Sequence, residues 1–167
     1  GIFELKLGNK TAKIITRFFS NTNKNLKVAG NCFAFATHQP RNIPGDKLTP
    51  GVQSPVSMPA MVNEKNLKAA LEMEGAVFLG ADIARFNGTF DESKEYYLIA
   101  SFIKKDEYHF WGLFTNGWGN KPSKVGSMYM EPAVFCPTPG LINTLKTRGP
   151  ISASYRPVGY YLFPVKR

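Results

Sequence analysis

Gly30-Asn31-Cys32-Phe33-Ala34-Phe35-Ala36 is a turn signal that runs straight into a cysteine and a short apolar helical run. A thiol in the first turn of a helix lies at the positive end of the helix dipole. That position favours the thiolate and is expected to lower the pKa from the roughly 8.5 of a free cysteine. Cys32 therefore reads as a nucleophile, and a thiol nucleophile needs a base within reach. The bland alternative is core packing beside Phe33 and Phe35, since a buried cysteine without a partner is chemically inert.

The sequence holds two histidines, so the search for the base is short. His38 follows Cys32 by six residues and precedes the Gln39-Pro40 break. On a helix of about 3.6 residues per turn this puts it on the far side, as a surface or helix-end residue. His109 lies in Glu107-Tyr108-His109-Phe110-Trp111-Gly112-Leu113-Phe114, an aromatic-rich stretch that reads as a half-buried strand. It ends at Thr115-Asn116-Gly117, a hairpin signal. His109 is the histidine to pair with Cys32.

A cysteine opening a helix early and a histidine on a hairpin strand later is the order used by papain-like cysteine hydrolases. Asn31-Cys32, then His109-Phe110-Trp111 and Thr115-Asn116-Gly117-Trp118, resemble the two halves of such a site. Within that class the chain resembles compact viral leader proteinases, which carry an Asn-Cys pair and a His strand running into an Asn-Gly-Trp turn. It is also similar to phage and bacterial proteins with an Asn-Cys-Tyr-x-Tyr-Ala box and a Tyr-His-Phe/Trp strand followed by Trp-x-His-Lys-Pro. The corresponding stretches here are Asn31-Cys32-Phe33-Ala34-Phe35-Ala36, Tyr108-His109-Phe110-Trp111 and Trp118-Gly119-Asn120-Lys121-Pro122. The resemblance implies an α+β, papain-like fold with an N-terminal nucleophile helix packed against an antiparallel sheet. It also implies amide-bond hydrolysis without a cofactor.

A papain-like site takes its third member, which orients the imidazole, from the strand after the histidine. Asn120 is the candidate, standing where the phage-like set has histidine. A two-residue loop at Asn116-Gly117 would place Asn120 opposite Leu113, four residues along the strand from His109, so a longer loop or bulge is expected to close part of that gap. For the oxyanion, the backbone N–H of Cys32 supplies one donor. Asn25 or Asn31 is the expected side-chain donor, with Asn23 a competitor; the alternative for the Asn-rich stretch 20–25 is a solvated turn.

The chain has 167 residues, 43% of them hydrophobic and 13% aromatic. It is expected to form a single domain spanning 1–167, large enough to bury a core. No apolar run approaches the roughly 20 residues of a membrane span, and no charged-then-apolar leader is expected. Cys32 and Cys136 are the only cysteines. Pairing them would silence the proposed nucleophile, so Cys32 must stay reduced, and Cys136 reads as a small buried residue. Two cysteines and two histidines at unrelated spacings give no metal pattern, and no glycine-rich phosphate loop is present. The net charge of +9 and pI near 9.6 attract acidic partners in general. The basic residues are dispersed from Lys6 to Arg167, which argues against nucleic acid as a partner.

Along the chain, residues 2–7 alternate as a strand, and 11–19 fit a second strand or a helix. The Pro- and Gly-rich stretch 41–61 reads as a long loop of the kind used as a lid or binding wall. Asn63 is the N-cap of a helix over 64–74 whose stripe is Leu67, Ala70 and Leu71, ended by Gly75. Asn87-Gly88 marks a turn, 96–103 a buried strand, 139–146 a short helix and 154–165 a late strand or hairpin. The expected activity is hydrolysis of a polypeptide, with a peptidoglycan stem peptide as the alternative substrate for a phage or bacterial endopeptidase or amidase. The expectation from another class is a basic binding or virion-associated module that keeps the papain-like shell without its chemistry.

Overall fold

Residues 1–18, 32–38, 50–51, 62–105, 107–120, 129–132, 142–143 and 155–166 are described by the computed structural model, with backbone alone at 129–132. The alternating start of the chain forms Ile2–Leu7 (β1), which turns through Gly8 at φ 67° and returns antiparallel as Lys10–Ile15 (β2). The stretch that fitted either element is thus a strand. Glu95–Lys104 (β4), Glu107–Phe114 (β5), Gly117–Asn120 (β6) and Tyr129–Pro132 (β7) continue the sheet as an antiparallel meander. Arg156–Pro164 (β8) runs antiparallel to β4, and Val77–Gly80 (β3) pairs with β8.

One pairing departs from the antiparallel sheet expected. β2 meets the start of β4 in parallel, with Lys13 opposite Glu95 and Ile14 opposite Tyr96. A long connection separates the two strands, and only such a connection lets the chain re-enter a sheet in the same direction. With β8 along one edge of β4, β2 and β5 share the other edge in succession.

Strand alternation divides the core. Leu98, Ala100 and Phe102 of β4 join Trp111, Leu113 and Trp118 on one face. Ile99, Ile103 and Phe110 face the other way, where they meet the helices. Cys32–Ala36 (α1) buries all five of its residues there, and Glu64–Met73 (α2) adds Leu67 and Leu71. The cap of α2 is the expected one: Asn63 Oδ1 accepts from the Asn66 N–H at 2.8 Å, and Gly75 leaves the helix end at φ 89°. The architecture is α+β and rich in strand. No helix among the described residues is long and apolar enough to cross a membrane.

Three elements carry no expectation from the sequence: β3, β7 and a short 3-10 turn at Ile83–Arg85. Of the helix expected at 139–146, residues 142 and 143 alone are described, and both are helical.

Candidate active site

β5 and α1 meet because β5 carries a glycine where the helix needs room. A side-chain carbon at Gly112 would lie 2.8 Å from the Ala36 carbonyl oxygen and 2.9 Å from its Cα. Aromatic contacts on either side of this point fix the helix along the strand: Phe33 on Phe110 at 5.2 Å and Phe35 on Phe114 at 5.0 Å between ring centroids. The Cys32 end of α1 therefore lies beside Phe110, the residue next to His109. There the backbone N–H groups of Phe110, Phe33 and Cys32 itself face the sulfur.

His109 and Asn120 are in direct contact, with His109 Nε2 2.8 Å from Asn120 Oδ1. The register explains the contact and corrects the expected turn. Phe114 pairs with Gly117, Leu113 with Trp118 and Gly112 with Gly119, so the two-residue loop is Thr115-Asn116 and not Asn116-Gly117. Asn120 then falls level with Trp111, two residues from His109 on the same face, and a side chain spans such a diagonal without a bulge. Gly117 serves as a paired strand residue at φ 133° rather than as the turn glycine. An amide oxygen only accepts, so Nε2 carries the ring proton and the basic lone pair is on Nδ1.

Burial dominates the electrostatics. His109 and Asn120 are buried with the sheet core. Desolvation brings the His109 pKa down to about 4, against the smaller opposing effect of the Asn120 hydrogen bond. Burial pushes the Cys32 thiol up to about 12, outweighing the three amides that favour the thiolate. This overturns the low thiol pKa expected from the helix start: the partial charges of a five-residue helix do not offset removal of the sulfur from water. The resting pair is thiol and neutral imidazole.

Tyr155 is the residue the sequence reading missed. Its ring lies 5.9 Å from the His109 ring at 58°, and it is close enough to Cys32 for the thiolate charge to raise its own pKa. Burial is the larger cause of that rise, with Glu107 second. Its hydroxyl donates to Glu107 Oε2 at 3.2 Å; Lys104 Nζ binds the same oxygen at 2.9 Å and sits 4.9 Å over the tyrosine ring. No spacing rule joins a residue before the last strand to a site built on β5, so sequence offered no signal for it.

His38 is half-buried rather than exposed. It ends α1, as expected, but at φ 55° and with its ring stacked between Tyr97 and Phe114. The oxyanion candidates Asn25, Asn31 and Asn23, Cys136, and the loop at 41–61 apart from residues 50–51, a buried turn whose Gly51 N–H donates to Glu74 Oε2 at 2.8 Å, lie outside the described residues. Among the described residues no cluster of His, Cys, Asp and Glu could hold a metal ion. The chain matches no protein-family model, no curated protein and no solved structure.

Proposed function

We propose that the protein is a papain-like cysteine hydrolase that cleaves peptide bonds. The observation that carries this reading is the His109–Asn120 hydrogen bond at 2.8 Å; Tyr155, 5.9 Å from the His109 ring and within electrostatic reach of Cys32, links that pair to the thiol. Asn120 holds the imidazole in the tautomer whose Nδ1 lone pair is free to act as a base. Because thiol and imidazole are both neutral at rest, His109 takes the thiol proton as the sulfur attacks the carbonyl carbon, rather than in advance.

The tetrahedral intermediate places its oxyanion on the Cys32 N–H, with Asn25 or Asn31 as the expected side-chain donor. The C–N bond then breaks, and the imidazolium gives its proton to the leaving amine. Water, deprotonated by His109, hydrolyses the thioester and returns the free thiol. The net charge of +9 favours an acidic or polyanionic substrate, which keeps a peptidoglycan stem peptide as the second reading.

The test is peptide hydrolysis by single variants. Cys32→Ala is expected to abolish it and His109→Ala to lower it by about 10²- to 10⁴-fold. The double variant should be no worse than Cys32→Ala, because the two act as one unit. Full activity in Cys32→Ala removes the proposal.

A further inference from the structure

The other end of α1 carries a second group of polar side chains that the hydrolase reading does not use. After β2 the chain continues beside the β5–β6 loop, where the Thr115 N–H donates to the Arg17 carbonyl at 2.9 Å and Thr115 Oγ1 donates to Thr16 Oγ1 at 3.0 Å. This brings Arg17 to His38, whose ring is held between Tyr97 (4.2 Å between centroids, 3° between planes) and Phe114 (4.8 Å, 24°). The Arg17 charge acts on that ring.

Arg17 Nε and Nη2 are sealed from water without a hydrogen-bond partner, and so is His38 Nε2. Among the described residues no Asp or Glu forms an ion pair with Arg17. Buried polar groups in folded proteins are otherwise paired, and leaving a charged group unpaired costs more than leaving a neutral one. Nε–H and Nη2–H are the two parallel donors on one edge of the guanidinium, the edge that takes both oxygens of a carboxylate.

We propose that Arg17 and His38 form a binding site for a carboxylate, held side-on by the Arg17 Nε/Nη2 edge with His38 Nε2 as a third donor. One nitrogen of the His38 ring already donates to the Leu113 carbonyl, and Nε2 is the unpartnered one, so Nδ1 makes that bond. In the neutral ring Nε2 therefore carries a lone pair, and it donates to the carboxylate only after taking a proton from solvent. The groups facing the ring are Arg17 after β2, Tyr97 from β4, and Phe114 with the Leu113 carbonyl from β5. Arg17 opposes that proton in the empty site. A bound carboxylate offsets the Arg17 charge, and the two aromatic faces favour an imidazolium between them, so binding takes up a proton and weakens as pH rises.

The test is a titration of the isotope-labelled full chain with sodium acetate, and in parallel with sodium phosphate and sodium chloride, at constant ionic strength. The readout is the Arg17 Nε–H and His38 ring signals, at about pH 6 and about pH 8 on either side of the ordinary histidine range. Acetate is expected to move both sets of signals saturably and to bind more tightly at the lower pH. Arg17→Lys, which keeps the charge but loses the parallel donors, should weaken acetate binding by at least about tenfold. His38→Phe keeps the aromatic stack and should leave weaker binding with no pH dependence. Signals that do not move, or that respond equally to chloride, overturn the site. A response to phosphate as strong as that to acetate overturns the carboxylate assignment, and unchanged affinity and pH slope in His38→Phe overturn the role of His38.

Discussion

Asn120 shows how much one residue's role depends on register. Its amide oxygen accepts from His109 Nε2 at 2.8 Å inside the sheet core. When His109 becomes an imidazolium that bond becomes charge-assisted and contributes about 1.5–3 kcal/mol. Asn120→Ala is therefore expected to slow turnover by roughly 10- to 150-fold, less than loss of Cys32 or His109. Asn120→Asp or Asn120→His restores an acceptor and should recover part of the loss; steady-state turnover of the three variants checks this, and equal loss in all three contradicts an orienting role. Asn120 was legible in the sequence as residue type and approximate position, because a papain-like site needs an acceptor on the strand after its histidine. The contact itself was not legible, since it depends on whether Asn116-Gly117 or Thr115-Asn116 forms the turn, and an Asn-Gly pair fits both. Tyr155 and the Arg17–His38 pair were illegible for another reason: each is assembled from segments far apart in the chain.

The element on which the site depends is the α1–β5 contact. Gly112 is the point of closest approach, with no room for a β-carbon against Ala36. Gly112→Ala should lift the helix from the strand or bend it, costing about 1–3 kcal/mol as overpacking does. Because Cys32 is carried on that helix, activity should fall further than stability. Denaturant unfolding beside turnover checks the split, and a fully active, fully stable Gly112→Ala contradicts the tight contact. The strands with clear alternation, and the α2 helix with its Asn63 cap, were readable because their signals are local. β3 was not: Val77-Phe78-Leu79-Gly80 is a short apolar run with no periodicity, and its strand character comes from pairing with β8. The parallel β2–β4 contact likewise arises from tertiary closure.

At the scale of the whole molecule, burial of titratable groups ties stability to pH. Burial lowers His38 to about 3 and His109 to about 4, both below an ordinary value of 6.5. The unfolded chain therefore binds protons that the folded one refuses, and stability present above about pH 6.5 is lost as pH falls toward those folded values. At about 1.4 kcal/mol per unit, His109 alone accounts for roughly 3 kcal/mol. Cys32, raised from 9.0 to about 12, works in the opposite sense, and its contribution is lost as pH rises through that interval. Urea unfolding across the acid range should show this slope, and His109→Gln should flatten it; an unchanged slope contradicts a buried neutral His109. The α+β class and Asn120 as a candidate partner of His109 thus came from the sequence, whereas the neutral resting state of Cys32 and His109 came from burial, which no local pattern records. The central claim, that Cys32 attacks carbonyl carbon with His109 as its base, is tested most directly by acyl transfer from a p-nitrophenyl ester, followed as a nitrophenolate burst with the modified residue located by peptide mass. The expected result is one acyl group per chain on Cys32, absent in Cys32→Ala and formed at least about 10²-fold more slowly in His109→Ala. Acylation elsewhere, or at an unchanged rate without His109, would contradict it.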